Sequence, residues 1–283
     1  MSAPFPEPGT PPPDLLRWAM ARFGSRFVIT TSFQREGMVL LDMAARIDPQ
    51  VRVVTLDTGR LPDETFTMIE IVRERYGVEV EMVTPDSTEV ERMVRQHGPN
   101  LFYGSVPERK LCCQIRKVRP LERKLSGVEA YAVGLRREQS ESRESIAAVA
   151  QDRGRVKLSP LADWSSEHVR AYTAEYNVPE HPLYDKGFPS IGCQPCTRPT
   201  LPDEGERAGR WWWEESADKE CGLHFTPSGK MLRTVDVLLE QVLKPNASGI
   251  RTVVHGDERR WQVDALPTDF RSAEGAGRPG RTA

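Results

Sequence analysis

Apolar positions follow two rhythms over the first two thirds of the chain. Short β-branched runs at Arg26–Thr31 (RFVITT), Arg52–Leu56 (RVVTL) and Val78–Val83 (VEVEMV) predict strands, with weaker candidates at Glu129–Val133 and Val156–Leu158. Between them the spacing turns helical. Met38, Leu41 and Ala45 share a face within Glu36–Ile47, a second helix runs from Pro62 to about Tyr76 and is stopped by Gly77, and a third is expected over Leu111–Leu125. A fourth, His168–Tyr176, follows the cap-rich Asp163-Trp-Ser165-Ser166 and ends before Asn177 and Pro179. Such alternation implies an α/β fold, a mostly parallel twisted sheet with helices on both faces. Right-handed crossovers then gather the strand-to-helix loops along one sheet edge, where ligands of such sheets bind.

The ends of the chain break this rhythm. Residues 1–13 hold six prolines and read as a disordered arm. The alternating domain is assigned to 14–225 and a C-terminal extension to 226–270. That extension has a helical stripe at Leu232, Val235, Leu238, Leu239 and Val242 within Met231–Leu243. Arg251–Val254 and Arg260–Val263 flank His255-Gly-Asp257 as a hairpin, and the Gly/Arg-rich residues 271–283 read as a disordered tail. Residues 226–283 contain no cysteine, so they cannot be a fused dithiol donor. Three uses stay open for them: a cover over the active site, a partner-docking element, or a homo-oligomer interface.

Composition narrows the function classes. A length of 283 residues suits one or two domains, and 39 basic against 41 acidic residues leave a net charge of −2. No global field recruits nucleic acid or an anionic membrane. No apolar stretch approaches the ~18 residues of a membrane span, and the N-terminus lacks a signal-like pattern, so a cytoplasmic location is expected.

Five cysteines, Cys112, Cys113, Cys193, Cys196 and Cys221, are too few for a secreted disulfide scaffold and are left free for metal or chemistry. The two-residue gap in Cys193-Gln-Pro-Cys196 lets one loop present two thiolates to a metal centre. Cys112 and Cys113 are expected at the start of the Leu111–Leu125 helix, where the positive dipole end favours thiolate. Consecutive helical residues diverge by about 100°, awkward for a single zinc ion and easier for a larger cubane. On spacing alone an iron–sulfur cluster and a four-cysteine zinc site both stay open. A thioredoxin-type redox pair at Cys193–Cys196 is disfavoured by the turn residues around it. Cys221, in Glu220-Cys-Gly-Leu-His224, stands outside the quartet. Gly222 leaves its sulfur sterically open, and His224 can hydrogen-bond to the thiol or to a substrate oxyanion; the bland alternative is an incidental thiol.

Taken in order, Thr31-Ser-Phe33, Leu56-Asp-Thr-Gly59, Lys110-Leu-Cys-Cys113, Gly134-Leu-Arg-Arg137, Gln139-Ser140, Ile191-Gly-Cys-Gln-Pro-Cys196, Arg207-Ala-Gly-Arg-Trp-Trp-Trp213 and Glu220-Cys-Gly-Leu-His224 form a specific set. The set resembles the assimilatory sulfonucleotide reductases, on the adenylyl-sulfate branch that carries an iron–sulfur cluster, over roughly residues 15–225. The resemblance implies an adenine nucleotide alpha-hydrolase-like fold, a [4Fe-4S] cluster on Cys112, Cys113, Cys193 and Cys196, and a nucleophile at Cys221 assisted by His224. It places Thr31, Ser32 and Phe33 at the phosphosulfate and Leu56, Asp57, Thr58 and Gly59 at the adenosine. Gly134, Arg136 and Arg143 are implied to meet the nucleotide, and Lys117, Arg207 and Arg210 to grip its anionic end. Trp211–Trp213 would anchor the segment that carries Cys221. The expected reaction reduces adenosine 5′-phosphosulfate (APS) to sulfite and AMP with thioredoxin or a similar dithiol donor. The rivals are a reductase of the 3′-phosphorylated substrate, whose branch lacks the four cluster cysteines, and a non-enzymatic iron–sulfur or zinc redox sensor. An ATP-dependent RNA sulfur-transfer enzyme is disfavoured because the chain lacks a Ser-Gly-Gly-x-Asp-Ser loop.

Overall fold

The computed structural model describes residues 6–214 and 229–244. These belong to one compact unit, Met1–Pro245, while the second unit, Asn246–Ala283, lies outside the described residues, and with it the expected hairpin and tail.

A six-stranded sheet forms the frame: β1 (Phe27–Thr30), β2 (Val53–Leu56), β3 (Val80–Val83), β4 (Ala130–Val133), β5 (Val149–Asp152) and β6 (Arg155–Leu158). Its order is β3-β2-β1-β4-β6-β5, parallel throughout except for β5, which runs antiparallel to β6. The β5–β6 hairpin turns through Arg153 (φ 51°) and Gly154 (φ 80°), two left-handed residues that suit the tight turn between twisted strands. Strand alternation sends Phe27, Ile29, Val53, Ala130 and Ala132 to one face, and Val28, Val54, Tyr131 and Val133 to the other. The expected mostly parallel sheet is therefore present.

The first face is covered by α1 (Pro12–Phe23), α2 (Arg35–Ile47), α3 (Asp63–Tyr76) and α7 (Ser166–Glu175), through Leu16, Leu40, Val72 and Val169. Helix α1 lies outside the predicted elements and begins inside the stretch read as a disordered arm. Pro12 sits where a missing N–H costs nothing, and Leu15, Leu16, Ala19 and Phe23 give it a buried stripe. The α7 helix begins where its cap predicts. The Ser165 hydroxyl accepts from the His168 N–H at 3.1 Å, and His168 Nδ1 accepts from the Ser165 N–H at 3.2 Å.

On the other side, α4 (Ser87–His97), capped by Asp86, is followed by α5 (Val106–Cys113), a π-helical turn (Gln114–Val118) and α6 (Arg119–Leu125). The single helix expected over Leu111–Leu125 thus begins five residues earlier, with Ser105 as its cap. Cys112 and Cys113 lie at the C-terminal end of α5 rather than at a helix start, so the dipole argument for their ionisation does not apply. Pro120, which has no N–H to give the Arg116 carbonyl, accounts for the widened turn before α6. Helix α8 (Gly229–Leu243), matching the expected stripe, packs on α4 and α5.

The order reverses at β1, which has β2 on one side and β4 on the other, so a crevice opens at the strands' C-terminal ends. Gly134, just past β4, supports this closeness: a Cβ there would lie 2.7 Å from the Glu36 carbonyl carbon and the Gly37 nitrogen at the start of α2. A loop after α7 closes over the same edge and is pinned by His181. Its Nδ1 accepts from the Leu183 N–H at 3.3 Å, so its Nε2 carries the proton and donates to the Thr65 hydroxyl at 3.1 Å. Burial, opposed in part by Glu64, pushes the imidazole down to about 4 from an ordinary 6.5. Because the folded value is depressed, the neutral ring stabilises the fold above pH 6.5, and this contribution is lost as pH falls towards 4. The loss amounts to about 3 kcal/mol. Urea unfolding of wild type and His181→Gln between pH 7 and 4.5 is expected to show a steeper acid decline in the wild type.

Candidate active site

A cleft of about 240 Å³ opens at the reversal point, floored by Thr30, Val54, Leu56 and Val133. Thr31 and Ser32 line one lip. The Thr31 hydroxyl accepts from the Phe33 N–H at 2.9 Å, and Phe33, fully buried, takes a left-handed conformation (φ 56°) that turns the chain into α2. The Tyr184 hydroxyl accepts from the Arg35 N–H at 2.9 Å, which satisfies one amide of the first helical turn. Ser32 thus stands beside a helix N-terminus, a favourable place for an anion.

The facing lip is the loop 189–193, joined to the first by Gln34. Its Nε2 donates to the Ser32 hydroxyl at 2.9 Å, and its Oε1 accepts from the Ile191 N–H at 2.8 Å. Ser32 is two residues from Gln34, but Ile191 lies 157 residues away, a pairing that no sequence pattern signals. Arg210 closes the same loop from behind, donating to the Ile191 carbonyl at 3.0 Å. Gly192 permits this close approach: a Cβ there would lie 2.3 Å from the Arg210 guanidinium, which would have to shift.

Thr58 joins the cleft to the cysteines. Its hydroxyl shares a hydrogen bond with Cys193 Sγ at 3.2 Å, and its carbonyl accepts from Arg116 Nη1 at 2.8 Å. The four cysteines Cys112, Cys113, Cys193 and Cys196 are buried, unbridged and part of one apolar cluster with Leu111, Phe102, Trp211 and Val242. The Gln194 N–H donates to the Arg60 carbonyl at 2.8 Å, and Tyr103 donates its hydroxyl proton to the Pro195 carbonyl at 2.9 Å, fixing the Cys193–Cys196 loop. Among the described residues no three His, Cys, Asp or Glu side chains close on a single metal ion.

Charge is unevenly shared among these thiols. Burial opposes ionisation of Cys193, but Lys117, the Thr58 hydrogen bond and Arg210 outweigh it and lower its pKa. Burial raises Cys112 despite Arg116, and burial with neighbouring Cys193 pushes Cys196 up to about 12. Lys117, 9% exposed on the π turn, lines the cleft and acts on Cys193 at once.

Of the residues expected at the nucleotide, Thr31, Ser32, Leu56, Thr58, Gly134, Arg143, Arg207, Arg210 and Lys117 line the cleft, with Cys193 at its rim. Asp57 instead accepts from the Gly59 N–H at 2.8 Å, and Gly59 (φ 69°) presents its open side to Arg116. Arg136 is not brought to the cleft. It is 2% exposed and its Nε donates to Glu36 at 2.8 Å, so it serves the wall between β4 and α2. Gln139 accepts from both the Arg136 N–H and the Arg143 guanidinium and lines the cleft itself, a position that pattern alone did not assign. Cys221 and His224 lie outside the described residues.

A parallel sheet with an anion-ready cleft at its reversal point, backed by a pocket of buried thiols and cations, defines a nucleotide-binding α/β protein equipped for sulfur chemistry. Comparison with known proteins sharpens this: residues 26–199 match the phosphoadenosine phosphosulfate reductase domain, and the chain belongs to that family. It is 47% identical over 212 residues to the adenosine 5′-phosphosulfate reductase of Burkholderia cepacia, covering 73% of this chain and 85% of that one. The corresponding protein of Allochromatium vinosum is 46% identical over 199 residues, 70% of this chain and 78% of its own. Among solved structures, the phosphoadenylyl-sulfate reductase of Candida auris in complex with phosphate superposes with a TM-score of 0.57 at 28% identity, covering 66% of this chain and 89% of that chain.

Gln34→Ala is expected to weaken AMP binding about tenfold, close to the worth of one well-made hydrogen bond. Isothermal titration with AMP measures this; unchanged affinity would show that the two lips hold position without the amide bridge.

Proposed function

We propose that this protein reduces adenosine 5′-phosphosulfate to sulfite and AMP, in the assimilation of sulfate, through a covalent intermediate on Cys221. The observation that carries the reading is Lys117, buried at the one wall shared by the cleft and the thiol pocket. Relatives named for this activity support it over the cleft-forming part of the chain.

The phosphosulfate would lie against Thr31 and Ser32 at the start of α2, with Lys117, Arg143, Arg207 and Arg210 along the cleft to balance its charge. The Cys221 thiolate attacks the sulfate sulfur, the Sγ–S bond forms as the S–O bond to AMP breaks, and AMP leaves with that electron pair. The cations and the α2 amides stabilise charge gathering on the phosphate, while His224 is assigned the Cys221 proton. A thiolate of an external dithiol, of thioredoxin type, then attacks Cys221 Sγ. Sulfite leaves with the bonding pair, reduced by two electrons, and the donor's second thiol resolves the mixed disulfide. Overall, phosphosulfate and two thiols give sulfite, AMP, a disulfide and two protons. Reduced thiol donors of this type favour the cytoplasm as the site of reaction.

The donor set beside the cleft fits a [4Fe-4S] cluster: four buried thiols in two pairs, no disulfide, and Lys117, Arg116 and Arg210 nearby to offset the charge of four thiolates. Cys112, Cys113, Cys193 and Cys196 would hold it, and its iron would supply positive charge that favours their thiolate forms. When bound, such a cluster supplies a fixed local electrostatic field beside the substrate.

Cys221→Ser is expected to retain iron and acid-labile sulfide while sulfite formation disappears. Protein-bound label from 35S-phosphosulfate in that variant would remove Cys221 as nucleophile. Lys117→Ala is expected to lower kcat at least about a hundredfold with AMP still bound, comparable to loss of one transition-state donor. Steady-state assays with the phosphosulfate and its 3′-phosphorylated analogue read this together with substrate preference.

A further inference from the structure

Lys117, Arg143, Arg207 and Arg210 line the cleft with positive charge. Such a wall attracts the phosphosulfate, but by itself it attracts a more highly charged anion better still. The 3′-phosphorylated analogue is that anion. The phosphosulfate carries about two negative charges at neutral pH, and a 3′-phosphate adds about 1.5 to 2 more. Preference for the less charged nucleotide therefore calls for a repulsive group among the attractive ones.

Among the described residues two carboxylates line the cleft, Glu36 and Glu206. Glu36 is compensated, because Arg136 Nε donates to it at 2.8 Å. Glu206 is not. It stands exposed on the turn that leads into Arg207 and Arg210, and it has no hydrogen bond or ion pair to any described residue. Glu204, two residues earlier, shows the contrast. It accepts from Arg198 Nη1 and Nη2 at 2.7 and 2.6 Å and from the Leu201 N–H at 2.9 Å, so its charge is consumed in folding the turn. The far end of the turn is fixed by the Thr197–Arg210 bridge and by the Arg198 N–H, which donates to the Gly209 carbonyl at 3.0 Å. A well-held turn thus presents an uncompensated carboxylate to a cleft built for anions.

We propose that Glu206 is a specificity-determining residue, whose charge disfavours the 3′-phosphorylated analogue relative to the phosphosulfate. This rests on the phosphosulfate being the substrate and names the group that sets the preference. No particular pose is required. A cleft of about 240 Å³ keeps its occupant within about one screening length, ~8 Å, of the walls, so Glu206 acts on the whole charge of the nucleotide. Repulsion grows in proportion to that charge, and the analogue carries about twice as much. Two additional charges at such distances, in a medium between water and a protein surface, are worth roughly tenfold in affinity.

The test compares wild type with Glu206→Gln, Glu206→Lys and the control Asp203→Asn, which removes an exposed carboxylate of the same segment that does not line the cleft. Steady-state kcat/KM is measured with the phosphosulfate and with its 3′-phosphorylated analogue on full-length, iron-replete protein. Isothermal titration with AMP and with adenosine 3′,5′-bisphosphate reads the same preference without turnover. In both assays Glu206→Gln is expected to move the ratio about tenfold towards the 3′-phosphorylated compound, Glu206→Lys further, and Asp203→Asn by less than about twofold. Ratios within about twofold of wild type in both Glu206 variants would overturn the proposal, as would an equal shift in Asp203→Asn. A wild type that uses the analogue as well as or better than the phosphosulfate would instead overturn the reading of the substrate.

Discussion

Charge balance across one thin wall governs this molecule. On one side lies the cleft at the end of β1, and on the other a buried apolar cluster holding four cysteines; Lys117 and Arg210 line the cleft and act on Cys193. Removing a positive side chain from water is costly unless negative charge compensates it, and burying thiols suppresses their ionisation for the same reason. The structure meets both demands by putting the two kinds of group together. Lys117 and the Thr58 hydrogen bond favour ionisation of Cys193, while burial raises the pKa of Cys112 and Cys196. In the proposed enzyme that wall lets one set of cations serve the phosphosulfate and the thiolates at once.

The scaffold explains how such a wall is built. Parallel strands deliver Thr31 from β1, Thr58 from beyond β2 and Gly134 from β4 to one edge, and none of these positions can drift without breaking strand register. The π turn at Gln114–Val118 does the corresponding work on the helical side. It follows directly on Cys113 and carries both Arg116 and Lys117, so its widened backbone sits where cluster ligands pass into cleft cations. Pi-helical turns of this sort recur at functional sites because they reorient side chains without ending the helix.

Much of the fold could be read from short-range pattern. β1, β2 and β4 are apolar because both their faces are covered, and α2 and α3 keep their stripes and stops. What escaped had weak local signals: α4 is mostly polar with one fully buried residue, Met93, and β5 is marked chiefly by the Arg153-Gly154 turn that follows it. α1 hid behind its prolines. The site divides similarly. Cys193-Gln-Pro-Cys196 and the arginines of the 207–210 segment announce themselves, and Cys193, Arg207 and Arg210 do meet at the cleft. Arg136 belongs to the same kind of motif yet is claimed by Glu36, a partner a hundred residues away. Gln34, silent in the sequence, bridges both lips.

Residue order by itself determined the α/β alternation, the grouping of the thiols into two pairs and a fifth apart, and the family to which the chain belongs, because each depends on spacing along the backbone. Only the tertiary structure decided which cations face the cleft, where α5 begins, and that Glu214 and α8 both pack against that helix. Those are outcomes of competition among distant groups for a few buried partners. A hydrogen bond or ion pair between residues a hundred positions apart leaves no periodic trace, since its energy depends on where the folded chain places them and not on how far apart they are written.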